Sequence, residues 1–327
     1  MTMKTFLAGA AAAAGILAFS AAGAAPLSAT EVLQQFNMVV FGNVDASSNI
    51  QGRSLIGGNL TGNSADFFVG APGTVPASSF AALTVGGSIT GNPKQVNNGG
   101  SVVAGGNVQS LNMNGGGDVT LGGVVTGTIN ANGGAVTPNA AVTIPNFEAD
   151  LKALSVQLRG LTGVAPTKNG NKGEFTSATP DANGVAVYNL ESSFLQTINE
   201  ISLGLNGAST LIINVGGDDI KNKDNFLGGP FDIAANVIWN FYEATELTIE
   251  RQFFGAVLAP FANVKNTSSI EGTLVAAALD MDAQIHLQPF EGDLPAAAVP
   301  VPPALPLMTG VLALGGFLAS RRRKRVA

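Results

Sequence analysis

The chain has no cysteine, a single histidine (His286) and a single tryptophan in 327 residues, and only 6% of it is aromatic. Without thiols it can form neither disulfides nor thiolate metal sites. One imidazole leaves little room for a nucleophile–base pair, and no serine stands in a G-x-S-x-G elbow. Basic residues are scarce as well. Once Lys4 and the five basic residues near the C-terminus are set aside, residues 25–293 hold 10 Lys and Arg against 22 Asp and Glu, a net charge of −12. That balance argues against nucleic acid and anionic lipid surfaces as partners. Stability must then come from a packed core and backbone hydrogen bonds.

What the chain has in quantity is glycine, 42 residues, together with valine, threonine and asparagine. Four segments share one pattern: Ser54 to Asn63 (SLIGGNLTGN), Leu83 to Asn92 (LTVGGSITGN), Ser101 to Ser110 (SVVAGGNVQS) and Val119 to Thr128 (VTLGGVVTGT). Each is an apolar run, a glycine pair, a small or polar residue in most cases, and a second short run. A strand-like unit that recurs in this way buries its apolar face by stacking on its neighbour, which points to a solenoid, best a parallel β-helix. The glycines are expected at corners, where a residue without Cβ takes φ > 0 freely. Val119 and Leu121 are expected to face inward with Thr120 outward, and Thr126, Thr128 and Asn130 to share an outward face. An antiparallel sandwich with glycine turns is the competing arrangement.

The ends read differently. Met1 to Ala24 has a basic start, an apolar run and small residues ending at Ala24, the pattern of a secretory signal peptide cleaved there. Leu305 to Ala319 is apolar and is followed at once by Arg321, Arg322, Arg323, Lys324 and Arg325. Its length is marginal for a bilayer that needs about 20 residues, and the basic cluster is expected to stay cytoplasmic. The implied layout is a signal peptide (1–24), a body (25–292), a Pro/Ala-rich linker (293–304) and a hydrophobic segment with a basic tail (305–327). Within the body, Ser28 or Thr30 can cap a short first helix. Phe147, Leu151, Leu154, Leu158 and Leu161 give a longer helix one apolar side, with Asn146 as its cap. Residues 167–184 are expected to be an exposed, turn-rich segment.

Chemistry is sparse. None of the glycine pairs from Gly57 to Gly134 precedes a helical pattern, and no G-K-[ST] occurs, so a phosphate-binding loop is not expected. Asp218 with Asp219, and Asp280 with Asp282, are the carboxylate pairs that could act on a sugar or hold Ca²⁺; solvated carboxylates at strand ends are the simpler reading. His286 is expected to be a packed or surface group. Thr126-x-Thr128 is the one Thr-x-Thr in the glycine-rich repeats, and ordinary β-propensity accounts for it.

Several stretches resemble a known family. FNMVVFGNVDASSNIQGRSLIGGNL, LIINVGGDDI, NVIWNFYEATELTI and FFGAVLAPFANVKNTSSIEGTLVAAAL, in this order, are similar to the bacterial choice-of-anchor A domain, over about Leu27 to Phe290. The family is classed with ice-binding-like adhesive domains, which implies a β-helix with a helix packed alongside. The C-terminal VPVPPALPLMTGVLALGGFLASRRRKR is similar to the VPLPA-CTERM variant of the PEP-CTERM sorting signals. Val299, Pro300 and Pro302 match it, whereas Val301 replaces the usual leucine and Pro303 is an added proline. The resemblance implies processing by an exosortase-type membrane transpeptidase, with the apolar segment as a transient anchor. The expectation is therefore an exported, surface-sorted, non-enzymatic β-helix adhesin or biofilm-matrix protein, without cofactor or metal. It would bind extracellular polysaccharide or a surface ligand through the face of Thr120, Thr126, Thr128 and Asn130. The alternatives are ice binding and a β-helix enzyme on acidic polysaccharide.

Overall fold

The computed structural model describes residues 27–295. Ala24, Val299 to Pro303 and Arg321 to Arg325 lie outside the described residues, as do the segments assigned above to targeting and sorting. Among the described residues no helix is long and apolar enough to cross a membrane.

Helix α1 (Ala29–Gln35) opens on a capping box. The Ser28 hydroxyl accepts from the Glu31 N–H, and the Glu31 carboxylate accepts from the Ser28 N–H. Short strands then stack in one long sheet. In spatial order these are Val136–Thr137, Val119–Leu121, Val102–Ala104, Leu83–Val85, Ser54–Ile56, Met38–Val40, Leu274–Met281, Ala256–Asn266, Val237–Asn240, Thr210–Gly216 and Val185–Glu191. The chain thus begins in the middle of its own stack. It climbs from Met38 to Thr137, returns along the outside as helix α2 (Glu148–Arg159), and stacks again from Val185 until Leu274 to Ala276 pair in parallel with Met38 to Val40.

Most coils add strands to two further walls. One contains Asp219–Asn222, Glu246–Ile249, the far halves of Ala256–Asn266 and Leu274–Met281, Val44–Ala46 and Leu60–Thr61. The other joins Phe253–Phe254, Ile270–Glu271 and Ile285–His286, through bridges at Ile50, to Ala65–Phe67, Lys94–Val96 and the far halves of Val108–Met113 and Val125–Asn130, whose first residues, Val108 and Val125, continue the Leu60 wall through Ile89. The chain is mainly β, with parallel sheets and few helices, in a β-helix-like stack. Among the described residues the one antiparallel pairing is the hairpin of Thr167–Asn169 with Lys172–Phe175, so the sandwich alternative fails.

The core follows from the alternation of side chains along each strand. Val40, Ile56, Val85, Ala104 and Leu121 lie in register down the interior. Residues between them point outward to the helices: Val39, Leu55, Ile212, Ile238, Leu258 and Val275 form a second cluster with Phe147, Leu151, Leu154 and Leu158 of the α2 region. Beneath α2, Asn189, Asn214 and Asn240 stand in register on adjacent strands. Their amides donate to Leu161 O (3.1 Å), Leu158 O (2.8 Å) and Ser155 O (2.8 Å), and the Ser155 hydroxyl donates to Asn240 Oδ1. The helix is therefore fixed by its own C-terminal carbonyls. At its start, Asn146 Oδ1 accepts from the Glu148 N–H, one residue ahead of the formal cap Phe147.

The glycines divide by cause. Gly57, Gly86, Gly105 and Gly122 lie one above another: a Cβ on Gly86 would come 2.1 Å from Gly57 O, and one on Gly105 2.1 Å from Gly86 O. None of the four has positive φ, which corrects the expectation for these pairs: coil-to-coil proximity requires glycine there. At the corner holding Gly99, Gly115, Gly116 and Gly133 φ is positive, as expected. The irregular spacing comes from the excursion at residues 68–82, where Phe80 packs on Phe36 and Phe147 at ring distances of 5.3 and 6.0 Å.

Residues 167–184 are not simply an exposed turn. The hairpin adds Lys172–Phe175 in parallel to Glu200–Leu203 and buries Phe175 against Tyr188, Phe194 and Trp239. One aromatic side chain, with Ala178 beside it in the core, closes that end, in a segment otherwise made mostly of polar residues and glycine.

Candidate binding faces

The first corner carries a polar ladder. The side-chain oxygens of Asn43, Asn59, Ser88 and Asn107 each accept the backbone N–H at the same position of the next coil, at 2.8, 2.8, 3.0 and 2.9 Å. The last donor is Val124, which has no acceptor to continue the series. This gives the repeated G-G-[NS] motif a physical role, since each polar side chain satisfies a main-chain donor that the turn leaves open.

On the wall beyond, Asp66, Gln95, Asn112 and Asn130 lie in register on four neighbouring strands, with Ser110 beside Thr128. Neighbouring strands in such a sheet stand about 4.8 Å apart, so these side chains form short ranks of amides and hydroxyls. Asn114 extends the set by donating to Gln95 Oε1 (3.1 Å) and Asn97 Oδ1 (3.0 Å). Thr128 and Asn130 are exposed here, whereas Thr126 is exposed on the neighbouring wall: it follows Val125, which pairs with Val108 and through Ile89 continues the column of Leu60. Thr120 belongs elsewhere: it stands in register with Val39, Leu55, Thr84 and Val103 on the long sheet, in the column whose first members pack against the helices. The four residues grouped by sequence thus divide among three walls, and only Thr128 and Asn130 share one. A bulge between Val125 and Thr128 also interrupts the regular pairing.

The remaining wall is charged. Lys221, Thr248, Lys265, Asp280, Asp45 and Thr61 form one outward column. Lys265 bridges Asp280 and Asp282, the latter at 3.0 Å, and those hydrogen bonds raise its pKa, Asp280 first. These two carboxylates are neutralised by a lysine. Asp218 and Asp219 are exposed side by side, and Asp218 accepts from the Thr245 hydroxyl at 2.5 Å. Among the described residues no group of three or more His, Cys, Asp or Glu could hold a metal ion.

His286 pairs across coils with buried Glu271: Nδ1 lies 2.6 Å from Oε1, and Nε2 lies 2.7 Å from Gln284 Oε1. Gln252 donates to the same Glu271 oxygen at 2.8 Å, and the Ser269 hydroxyl lies 3.4 Å from it. Both ring nitrogens are engaged, so the imidazole serves as a cross-coil tie.

Two buried ionisable residues had no sequence signal. Lys94 is fully buried, and its ammonium donates to the carbonyls of Gly62, Asn63 and Asn92 at 3.0, 2.5 and 3.1 Å; burial lowers its pKa to about 8. Asp224 is 2% exposed, its Oδ2 has no hydrogen-bond partner, and burial raises its pKa to about 6. Lys94 opens a strand that alternates normally and Asp224 lies in the link between Asp219–Asn222 and Asn225–Phe226, so only their positions in the stack mark either one as interior.

Residues 29–287 match the family described as "Putative Ice-binding-like adhesive domain". The chain belongs to this family. The matched region runs from the start of α1 to the end of the last coil, so the adhesive domain and the stack are the same object. No curated protein and no solved structure matches the chain.

Proposed function

We propose that the body is a non-enzymatic adhesive domain, exported and held at the cell surface or in the extracellular matrix, that binds polysaccharide through the polar ranks of its four-stranded wall. The observation that carries this reading is the register of Asp66, Gln95, Asn112 and Asn130 with Ser110 and Thr128 beside them. Amides and hydroxyls on a rigid sheet offer paired donors and acceptors to sugar hydroxyls, each weak alone and additive along a polymer. Membership of an adhesive family supports the same reading. Retention would rest on the C-terminal signal and its exosortase-type processing enzyme.

Thr126 and Thr128 stand on either side of the Val125/Thr128 register shift and on different walls, which favours a flexible polymer over an ice lattice that demands flat threonine ranks. Catalysis on acidic polysaccharide has less support, because Asp218 is tied to Thr245, and Asp280 and Asp282 to Lys265. A glycan-array screen of the purified body, with and without Ca²⁺, tests the proposal. Binding to one or more polysaccharides is expected; silence across the array together with ice shaping would replace it with the ice-binding reading.

A further inference from the structure

The two ends of the stack are finished differently. At one end Val164 bridges to Tyr188, the 167–175 hairpin adds its strand, and Phe175, Leu195 and Ile198 are buried beneath. At the other end Val125–Asn130 is the last strand of its sheet, paired on one side with Val108–Met113. Inner strands of this sheet bury their inward residues fully, as Val108, Leu111 and Met113 do. The equivalent Val125 and Ile129, and Val136 nearby, are only partly buried, and Val124 is 44% exposed. Solenoids need a capping unit where stacking stops, and an unpaired, uncharged edge is a template for another strand.

Charge indicates the partner. Residues 25–293 carry a net −12, yet between Lys94 and Glu148 the only ionisable side chain is Asp118. Two copies would repel through most of their surfaces but can bring these ends together without opposing charge. The edge is also self-complementary, since a two-fold axis through the middle of VTGTIN sets it antiparallel against its own copy. We propose that the Val125–Asn130 edge pairs with the same edge of a second chain, joining two stacks end to end. The sheets become continuous across the joint, Val125 and Ile129 gain cover, and the polar ranks of both copies act on one polymer. The contact is small, so association is weak and reversible.

Because the protein has no cysteine, one engineered thiol reports the contact cleanly. Thr128→Cys places it mid-edge, and Lys168→Cys places it on the exposed hairpin at the far end. Both are made in the full chain, so that association through the C-terminal segment would link both alike. Mild oxidation is expected to give a disulfide dimer with Thr128→Cys and several-fold less with Lys168→Cys. Light scattering should show the parent chain shifting towards dimer with concentration, whereas Thr128→Lys stays monomeric and unfolds at the parental temperature. Equal crosslinking of the two cysteine variants, or a parent chain monomeric into the high micromolar range, overturns the proposal.

Discussion

The carbonyl oxygen of Gly57 lies 2.1 Å from where a Cβ on Gly86 would be, and the Gly86 N–H donates to Ile56 O at 2.7 Å in the same corner. The contact is backbone on backbone, with no flexible side chain able to move aside. Gly86→Ala is therefore expected to destabilise the body by more than about 3 kcal/mol, as overpacking at its upper range does. Gly133→Ala has open space around it and only the positive φ of 99° to bear, which costs about 1–2 kcal/mol. Urea unfolding of both should separate them in that order; equal costs would mean that coil spacing is not set by the glycine ladder.

Asn240 makes three hydrogen bonds beneath α2: its amide donates to Ser155 O and Asn214 Oδ1, both at 2.8 Å, and its Oδ1 accepts from the Ser155 hydroxyl. Asn240→Leu removes these and leaves buried polar atoms on Ser155 and Asn214 unpaired. Each such atom costs about 1–3 kcal/mol. The variant should lose several kcal/mol and show faster amide exchange in α2 than in the distant Val102–Ala104 coil. Uniform acceleration would place the loss elsewhere.

Asp224 makes stability fall with rising pH. Its folded-state pKa is raised by burial from 3.8 to about 6, so its contribution is fully present below pH 3.8 and is lost as pH rises through about 6. The full swing is at most about 3 kcal/mol. Glu31, Glu174 and Asp181 have lowered pKa values, through hydrogen bonds to Ser28, Lys172 and the Val185 N–H respectively, and work in the opposite direction. The stability difference between Asp224→Asn and the parent isolates the effect. It should grow in favour of the asparagine between about pH 4 and pH 6, and a flat difference would contradict the assignment.

The parallel stack, the inward Val119 and Leu121, both major helices and the stacked glycine pairs were legible because each is a local pattern. Strand alternation and the glycine pairs recur from one coil to the next, and apolar residues three and four apart mark α2, whereas the close approach that requires the glycines is a relation between coils. The closure of Leu274–Ala276 onto Met38–Val40 was not legible, since nothing local specifies which coil meets the first. Thr120 was grouped with Thr126 and Thr128 because strand alternation gives only inside or outside, and the Gly122-Gly123 corner between them turns the chain onto another wall. The Glu271–His286 tie and the buried Lys94 depend on register between coils 15 or more residues apart, which a single sequence does not display.

The polar ranks of the four-stranded wall are the proposed binding surface. The most direct measurement is the affinity of the body for its best polysaccharide from the array, compared with a variant carrying Asn112→Ala, Thr128→Ala and Asn130→Ala. All three side chains point away from the core, so the variant should unfold at the parental temperature. At least a tenfold loss of affinity is expected in this variant. Little change is expected when the charged wall is altered by Lys221→Ala with Asp280→Asn. Undiminished binding by the triple variant, or loss on altering the charged wall alone, would contradict the proposal.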